Sequence, residues 1–126
     1  DYMDIQQAIF TQLLIDIKAK GYGTHDGELP PEGTAYPFVY LGSNTQSDNS
    51  TKAGNVGTVS QMIHVWHNDT HKRGAVSAML ADIKSICRDI EYKYPVILSG
   101  MTQNILEDNT TKKPLLHGVL TVNFKF

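Results

Sequence analysis

The sequence has little of several features that mark particular classes of protein. It contains one cysteine, Cys87, so no disulfide can form within it, and a single thiol is typical of a reducing compartment. Eleven Lys and Arg against 13 Asp and Glu leave a net charge of −2, which provides no basic field for nucleic acid. No apolar run approaches the length of a membrane span. We therefore expect no specific nucleic-acid binding and no membrane partner.

Motifs for catalysis or cofactor binding are also missing. No Gly-rich loop opens a helix after a strand, as phosphate sites require, and no serine lies in a nucleophile-elbow sequence. The acidic pairs Glu28 with Glu32 and Glu107 with Asp108 fall in predicted turns, where solvated carboxylates are the ordinary finding. The sequence therefore predicts no catalytic residue, no cofactor and no enzymatic activity.

Three histidines lie close together in the sequence, with Asp69 among them. Imidazoles and carboxylates are zinc ligands, which makes His64, His67 and His71 candidates for a metal site. Their spacing argues against it, because His64 and His67 point to opposite faces of a strand and His71 follows a turn. We predict that these histidines are structural or solvated and that they bind no metal.

Two stretches have the apolar period of an amphipathic helix. Between residues 3 and 20 apolar side chains recur every four residues, and Gly21 follows as a predicted C-terminal cap. A second helix is predicted after residue 68, where Asp69 or Thr70 can cap it. Because Cys87 lies on the apolar stripe of this helix, it is predicted to be a packed thiol. The stripe consists of Val76, Met79, Leu80, Ile83, Ile86, Cys87 and Ile90.

The stretch from residue 36 to residue 67 is predicted to form a long β-hairpin. Its first strand, Tyr36–Gly42, is rich in residues that favour a pleated surface. Its second strand, Thr58–His67, is apolar on both faces, with Val59, Ile63 and Val65 on one and Met62 and Trp66 on the other. Residues 43–57 between them contain two apolar side chains, Ala53 and Val56. We therefore predict a long polar loop at 43–57 that is mobile in a free subunit.

The remaining elements complete a small α+β fold. Residues 101–107 and 115–126 are predicted strands, and the second alternates clearly between apolar and polar side chains. The order helix–strand–strand–helix–strand–strand predicts an antiparallel sheet of about four strands, with two amphipathic helices packed on one face. A further short strand near Tyr22 is compatible with the pattern. We predict that residues 1–126 form a single domain.

Two features of this prediction indicate an assembly role. The polar loop can become ordered against a partner. The two-sided strand leaves Met62 and Trp66 on a face that a two-layer fold does not cover, so that face or a sheet edge is a candidate interface. The candidate interface residues of the loop are Asn44, Gln46, Asp48, Asn49, Ser50, Thr51, Lys52 and Asn55, and the candidate buried or interface aromatics are Trp66 and Tyr40.

The sequence resembles the siphophage tail-completion family, whose members are also called tail-terminator or tail-to-head joining proteins. The resemblance rests on segments that occur in the same order over most of the chain. They are the Ile5–Ile9 helix, Tyr36–Gly42, Ser47–Lys52, Ile63–Trp66 and His117–Thr121. The sequence departs from the family pattern at two places, the polar His67 after the tryptophan and the Gly-rich connection at 22–33. Both departures affect only local loop contacts.

The resemblance implies a structural virion protein. Such a subunit forms a hexameric ring that ends growth of the tail tube and joins tail to head. Its implied partners are copies of itself, the tail tube protein and the head–tail connector protein. Its implied location is the head–tail interface of the virion, after assembly in the host bacterial cytoplasm. The family offers no catalytic residues to transfer.

Other functions remain open at the level of sequence. One is another ring component of the head–tail connector or the tail tube. A second is a small ligand-binding domain, which would need a concave pocket with convergent polar groups. The sequence shows no such pocket, and function is set by surfaces added to a fold more than by the fold itself.

Overall fold

The computed structural model describes residues 4–27, 30–52 and 54–126. It contains two α-helices, five β-strands and one turn of 3₁₀-helix. In chain order these are α1 (Ile5–Ala19), β1 (Thr24–Asp26), β2 (Phe38–Thr51), β3 (Gly54–His67), α2 (Arg73–Asp89), the 3₁₀ turn Ile90–Tyr92, β4 (Ile97–Asp108) and β5 (Leu115–Lys125). The α+β class and the two helices are therefore confirmed. None of the described helices is long and apolar enough to cross a membrane.

The five strands form one mixed sheet in the order β1-β2-β3-β5-β4. β1 is parallel to β2, with Thr24 opposite Val39, whereas the other neighbours are antiparallel. The prediction of about four antiparallel strands was wrong in this detail. Three residues are too few to show an alternating pattern, and β1 is held by its pairing with the distant β2. Its position is fixed further by Val39 N–H, which donates to Gly23 C=O at 2.8 Å.

Both helices pack on one face of the sheet, as predicted, and the core lies between the two layers. The helices contribute apolar side chains at the predicted helical spacing, and β3 and β5 contribute alternate residues. Burial of each leucine or isoleucine side chain of this kind contributes about 1.5–3 kcal/mol to the free energy of unfolding. The fully buried set includes Ile9, Leu13, Ile17, Val59, Ile63, Val65, Val76, Leu80, Ile83, Leu120, Val122 and Phe124.

The helix ends agree with the prediction at α1 and differ from it at α2. Asp4 caps α1 by accepting from Gln6 N–H at 3.3 Å, and Gly21 follows its end with a φ of 104°. At α2 the cap position is Lys72, and no side chain caps the helix there. The predicted cap, Asp69 or Thr70, was wrong because the turn before α2 is longer than expected. Asp69 instead accepts from His71 N–H at 2.9 Å within that turn.

The predicted polar loop at 43–57 was wrong in extent, because most of it is paired β-strand. After a bulge between Leu41 and Asn44, the register runs from Asn44 opposite Gln61 to Thr51 opposite Gly54. β2 ends at Thr51 and β3 begins at Gly54. A β-ladder is held by backbone hydrogen bonds, so a polar sequence can extend it without apolar anchors.

The end of this hairpin projects beyond the rest of the sheet. β5 pairs with β3 from Thr58 onwards, and Gly57 exchanges two hydrogen bonds with Phe126, at 3.0 and 3.1 Å. On the other side β1 covers β2 over Val39–Leu41. Residues 48–56, which we name the hairpin arm, lie past both neighbours in the described part of the chain. At about 3.4 Å per residue the arm is about 15 Å long.

Candidate functional site: an aromatic groove on the open sheet face

The face of the sheet opposite the helices carries a cluster of aromatic and histidine rings. Alternation along each strand directs these side chains away from the helices. The strand register then aligns them in two rows, with Phe38 opposite Trp66 and Trp66 opposite His117, and with Tyr40 opposite His64. We name this set, with Tyr36, the aromatic cluster. Except for Phe38, these residues are partly or well exposed.

The rings of the cluster contact one another directly. Trp66 is stacked on His117, with ring centroids 3.7 Å apart and planes at 6°. His117 is stacked on His64 at 5.0 Å, and Tyr40 follows His64 at 6.1 Å with tilted planes. Such contacts contribute about 0.5–1.5 kcal/mol each beyond the area that they bury. Trp66, His117, His64 and Tyr40 therefore form a continuous platform of rings that spans three strands.

The two histidines of the platform form a hydrogen bond. His64 Nδ1 lies 2.8 Å from His117 Nε2, so one ring donates and the other accepts. Protonation of both rings would place two donors against each other and break this hydrogen bond. Burial lowers the pKa of both side chains, and the charge of His64 lowers the pKa of His117 further. Gly42 makes room for this pair, because a Cβ on it would lie 2.6 Å from His64 Nε2.

The aromatic cluster is the floor of a groove of about 770 Å³. One wall is the segment 30–34, and the other is the turn after β4. Tyr40 OH donates to Gly27 C=O at 2.6 Å, which ties the residue after β1 to the sheet. Thr110 holds Asp108 in the second wall by hydrogen bonds from its N–H at 2.9 Å and its hydroxyl at 2.6 Å, which lower the pKa of the Asp108 carboxyl.

The charged side chains that line the groove are all acidic. Glu32 lies on one wall and Asp108 on the other, and no Lys or Arg is among the described lining residues. Ligand sites in proteins commonly have volumes of about 300–1,000 Å³ and apolar, aromatic linings with a few polar groups. The groove therefore suits a ligand segment that is partly apolar and carries a positive charge.

The sequence did not predict this groove, although it supplied some of its residues. Trp66 was predicted to be buried or at an interface. It lies on the open face, partly exposed and outside the core cluster, and Tyr40 lies beside it. The contact of His64 with His117 joins residues 53 positions apart, so only the register of β3 with β5 reveals it. The interface role of Trp66 and Tyr40 stays a prediction.

The three histidines considered for a metal site are not brought together. His64 belongs to the groove, whereas His67 Nδ1 accepts from Asp69 N–H at 3.2 Å. His71 lies in the turn, 3.3 Å from the carboxylate of Asp69. Among the described residues no group of three His, Cys, Asp or Glu side chains is placed to hold a metal ion. That the chain binds no metal and no cofactor stays a prediction.

The predicted interface residues of the 43–57 segment fall into two groups. Asn44 and Gln46 lie within the sheet, where Asn44 Nδ2 donates to the buried Gln61 Oε1 at 2.6 Å and Gln46 Nε2 donates to Asp48 at 2.9 Å. The other candidates lie on the hairpin arm, and the side chains of Ser50 and Thr51 are outside the described residues. Those described there as exposed are Asp48, Asn49, Lys52 and Asn55.

The single cysteine is a packed thiol, as predicted. Cys87 is fully buried among the apolar side chains of α2 and the core. Burial raises the pKa of its thiol to about 12. A protonated, inaccessible thiol of this kind is a poor nucleophile.

Comparisons with known proteins are consistent with the resemblance found in the sequence. A family model described as Tail completion protein gp17 matches residues 8–123. Among solved structures, the chain is similar to one from the virion of a native gene transfer agent (GTA) particle. The two share 18% sequence identity with a TM-score of 0.48, and the match covers 97% of this chain and 95% of that one. No curated protein matches the sequence.

Proposed function

The chain belongs to the family of tail completion protein gp17, and we propose that it forms a closed ring that ends growth of a phage tail tube and joins the tail to the head. It is a structural protein of the virion, and it is located at the tail or the head–tail interface. A ring of six copies agrees with the resemblance noted in the sequence. The proposed partners are further copies of the chain, the tail tube protein and the head–tail connector protein.

A tail terminator has two tasks that differ in symmetry. A tube polymerises through head-to-tail contacts, which continue indefinitely unless a subunit closes them. The terminator must therefore contact its own neighbours around a ring and contact the tube end on one side of that ring. A small subunit needs at least two separate interaction surfaces for this purpose.

The observation that carries the proposal is the hairpin arm. It extends about 15 Å past the sheet, and none of its described side chains belongs to the buried core, so packing within the subunit does not explain its length. A long exposed hairpin leaves backbone N–H and C=O groups available for pairing with another chain. Proteins normally block such edges against aggregation, unless the edge binds a partner. The arm and the groove supply the two surfaces that a ring subunit needs.

Electron microscopy of a phage lysate that lacks this gene tests the proposed function. We expect filled heads without attached tails, together with unjoined tails of irregular or excessive length. Restoring the gene on a plasmid should recover joined virions. Joined virions of normal length in the lysate without the gene would refute the proposal.

A truncated arm tests the role of the hairpin in that function. Gly57 directs its backbone groups to Phe126, so those of Val56 face Asn49 on β2, and replacing residues 50–55 by Asn-Gly closes the hairpin with a favoured two-residue turn and keeps the register. Because the core is untouched, we expect a folded protein that neither forms rings nor joins tails. Rings and joining at normal levels would show that the arm is dispensable.

The groove favours a second candidate function, binding of a small ligand. Its volume and aromatic lining are typical of a ligand site. It is a concave pocket of the kind that a ligand-binding domain needs and that the sequence alone did not reveal. Mass measurement of the purified protein separates the two functions. A ring mass supports the terminator, or another ring component of the connector or tube, and a monomer at all concentrations supports the ligand-binding domain. An enzymatic role has no support from the family.

A further inference from the structure

The hairpin arm and the aromatic groove lie at opposite ends of the same strands. β2 begins at Phe38 in the floor of the groove and ends at Thr51 in the arm, so about 40 Å of strand lies between Phe38 and the end of the arm. The arm of a subunit therefore cannot reach its own groove. It can reach the groove of another copy that is placed end to end with it.

The two surfaces are complementary in charge. Lys52 is exposed at the turn of the arm and is the only Lys or Arg between residues 48 and 56, whereas the one acidic side chain of the arm, Asp48, lies at its base, opposite Gly57. The groove offers Glu32 and Asp108 on opposite walls. Lys112 and Lys113 lie in the turn that forms the second wall, between Thr111 and Leu115, but they are not among the lining residues of the groove.

The two surfaces are also complementary in polarity. Val56, which is 44% exposed, is the one large apolar side chain in the sequence of the arm. The floor of the groove presents aromatic rings that are partly open to solvent, including Trp66 and Tyr40. An apolar side chain that enters an aromatic pocket, with a charged rim around it, is the usual composition of a protein interface.

We propose that the aromatic groove of one subunit receives the hairpin arm of a second copy of this chain, with Lys52 between Glu32 and Asp108 and Val56 against the aromatic cluster. This inference rests on the proposed ring function and names the contact that forms the ring. The contact joins two different surfaces, so it is head-to-tail, and such contacts produce a closed ring when the rotation between subunits closes.

Zero-length cross-linking tests the contact without altering the protein. A carbodiimide joins a Lys amine to a carboxylate that it contacts, and an equal mixture of ¹⁵N-labelled and unlabelled protein identifies links between different molecules. After assembly of the mixture, we expect peptides that join Lys52 to Glu32 or Asp108 and contain one labelled and one unlabelled half. Lys20, which is exposed at the end of α1, is the internal control, and we expect no link from it to Glu32 or Asp108.

The outcomes distinguish this inference from the proposed function. Rings in which Lys52 is linked to other carboxylates, or to none, would overturn the arm–groove contact and leave the ring intact. A protein that stays monomeric and gives no mixed link would overturn both.

Charge reversal provides a second test. Lys52→Glu should raise the concentration needed for ring assembly by about tenfold, because attraction to the two carboxylates becomes repulsion. The double variant Lys52→Glu/Glu32→Lys should recover most of that loss, and Lys20→Glu should have no effect. Equal effects of Lys52→Glu and Lys20→Glu, or no recovery in the double variant, would contradict the contact.

Discussion

The indole of Trp66 lies flat on the imidazole of His117, with the ring planes 6° apart. The two residues belong to neighbouring strands and are directly opposite in the register of β3 with β5. Their stacking joins β5, which contributes His117, to the β2–β3 hairpin, which contributes Trp66. The stability of the platform and the pairing of these strands therefore depend on each other.

Truncation of Trp66 measures what the stack contributes. Trp66→Ala should lower the free energy of unfolding by about 1–3 kcal/mol, less than for a core tryptophan because the ring is partly exposed. Trp66→Phe keeps a stacked ring and should cost less than half as much. Urea denaturation followed by circular dichroism gives both values. A cost below about 0.5 kcal/mol for the alanine variant would show that the stack has no structural role.

Stability should fall as the pH drops below the ordinary histidine value of 6.5. Burial lowers the pKa of His64 and His117 in the folded chain, so the unfolded chain binds more protons between the lowered values and 6.5. The free energy of unfolding is therefore highest above pH 6.5 and decreases through this window. Asp108 opposes the effect at His117, and its own lowered pKa acts at more acidic pH.

Urea midpoints at pH 7.5 and pH 5.5 measure this dependence. His117→Gln removes one of the two histidines and relieves the other, so it should flatten the pH dependence substantially. Gln103→Ala, a change at an exposed and non-titrating site on β4, is the control and should leave the dependence unchanged. A wild-type midpoint that is equal at both pH values would contradict the expectation.

A side chain at Gly42 should displace the ring of His64. Gly42→Ala places a Cβ 2.6 Å from His64 Nε2, so the imidazole must move out of its hydrogen bond with His117. We expect a loss of about 1–3 kcal/mol in stability, the usual cost of overpacking. Gly100→Ala is the control, because its Cβ would meet nothing within 4 Å. Similar midpoints for the two variants would show that His64 relaxes freely.

Gln61 should be a polar anchor of the hairpin. It is fully buried, accepts from Asn44 Nδ2 at 2.6 Å and donates to Met62 C=O at 2.7 Å. Gln61→Ala should cost about 2–4 kcal/mol, because it leaves a cavity and removes the partner of Asn44. A double-mutant cycle with Asn44→Ala should give a coupling above about 0.5 kcal/mol. Gln103→Ala, at an exposed site on β4, is the control.

The parts of the fold that could be predicted are those in which burial leaves a periodic pattern. The stripes of α1 and α2 and the alternation of Leu120, Val122 and Phe124 report directly which face is buried, and the structure confirms each of them. The hairpin between residues 43 and 57 left no such pattern, because its pairing is between backbone groups. The buried Gln61 was also hidden, since a polar residue on an apolar face does not reveal its hydrogen-bond partners.

The groove could not be derived from sequence because it depends on strand order. Phe38, His64 and His117 are widely separated in the chain, and they converge because β3 lies between β2 and β5. Trp66 lies on the second face of a two-sided strand, which indicated that this face needs cover, and the interface role of Trp66 and Tyr40 stays a prediction. The acidic walls come from segments without a regular pattern, and nothing in the sequence assigns them to the same surface.

Trp66 is the single tryptophan of the sequence, and it lies in the floor of the groove. Its fluorescence therefore originates from one known position, in contact with an imidazole and partly open to water. Any molecule that covers the groove should change the colour and intensity of that emission. The protein consequently carries a built-in optical probe, and stopped-flow mixing could follow the filling of the groove in real time without a dye.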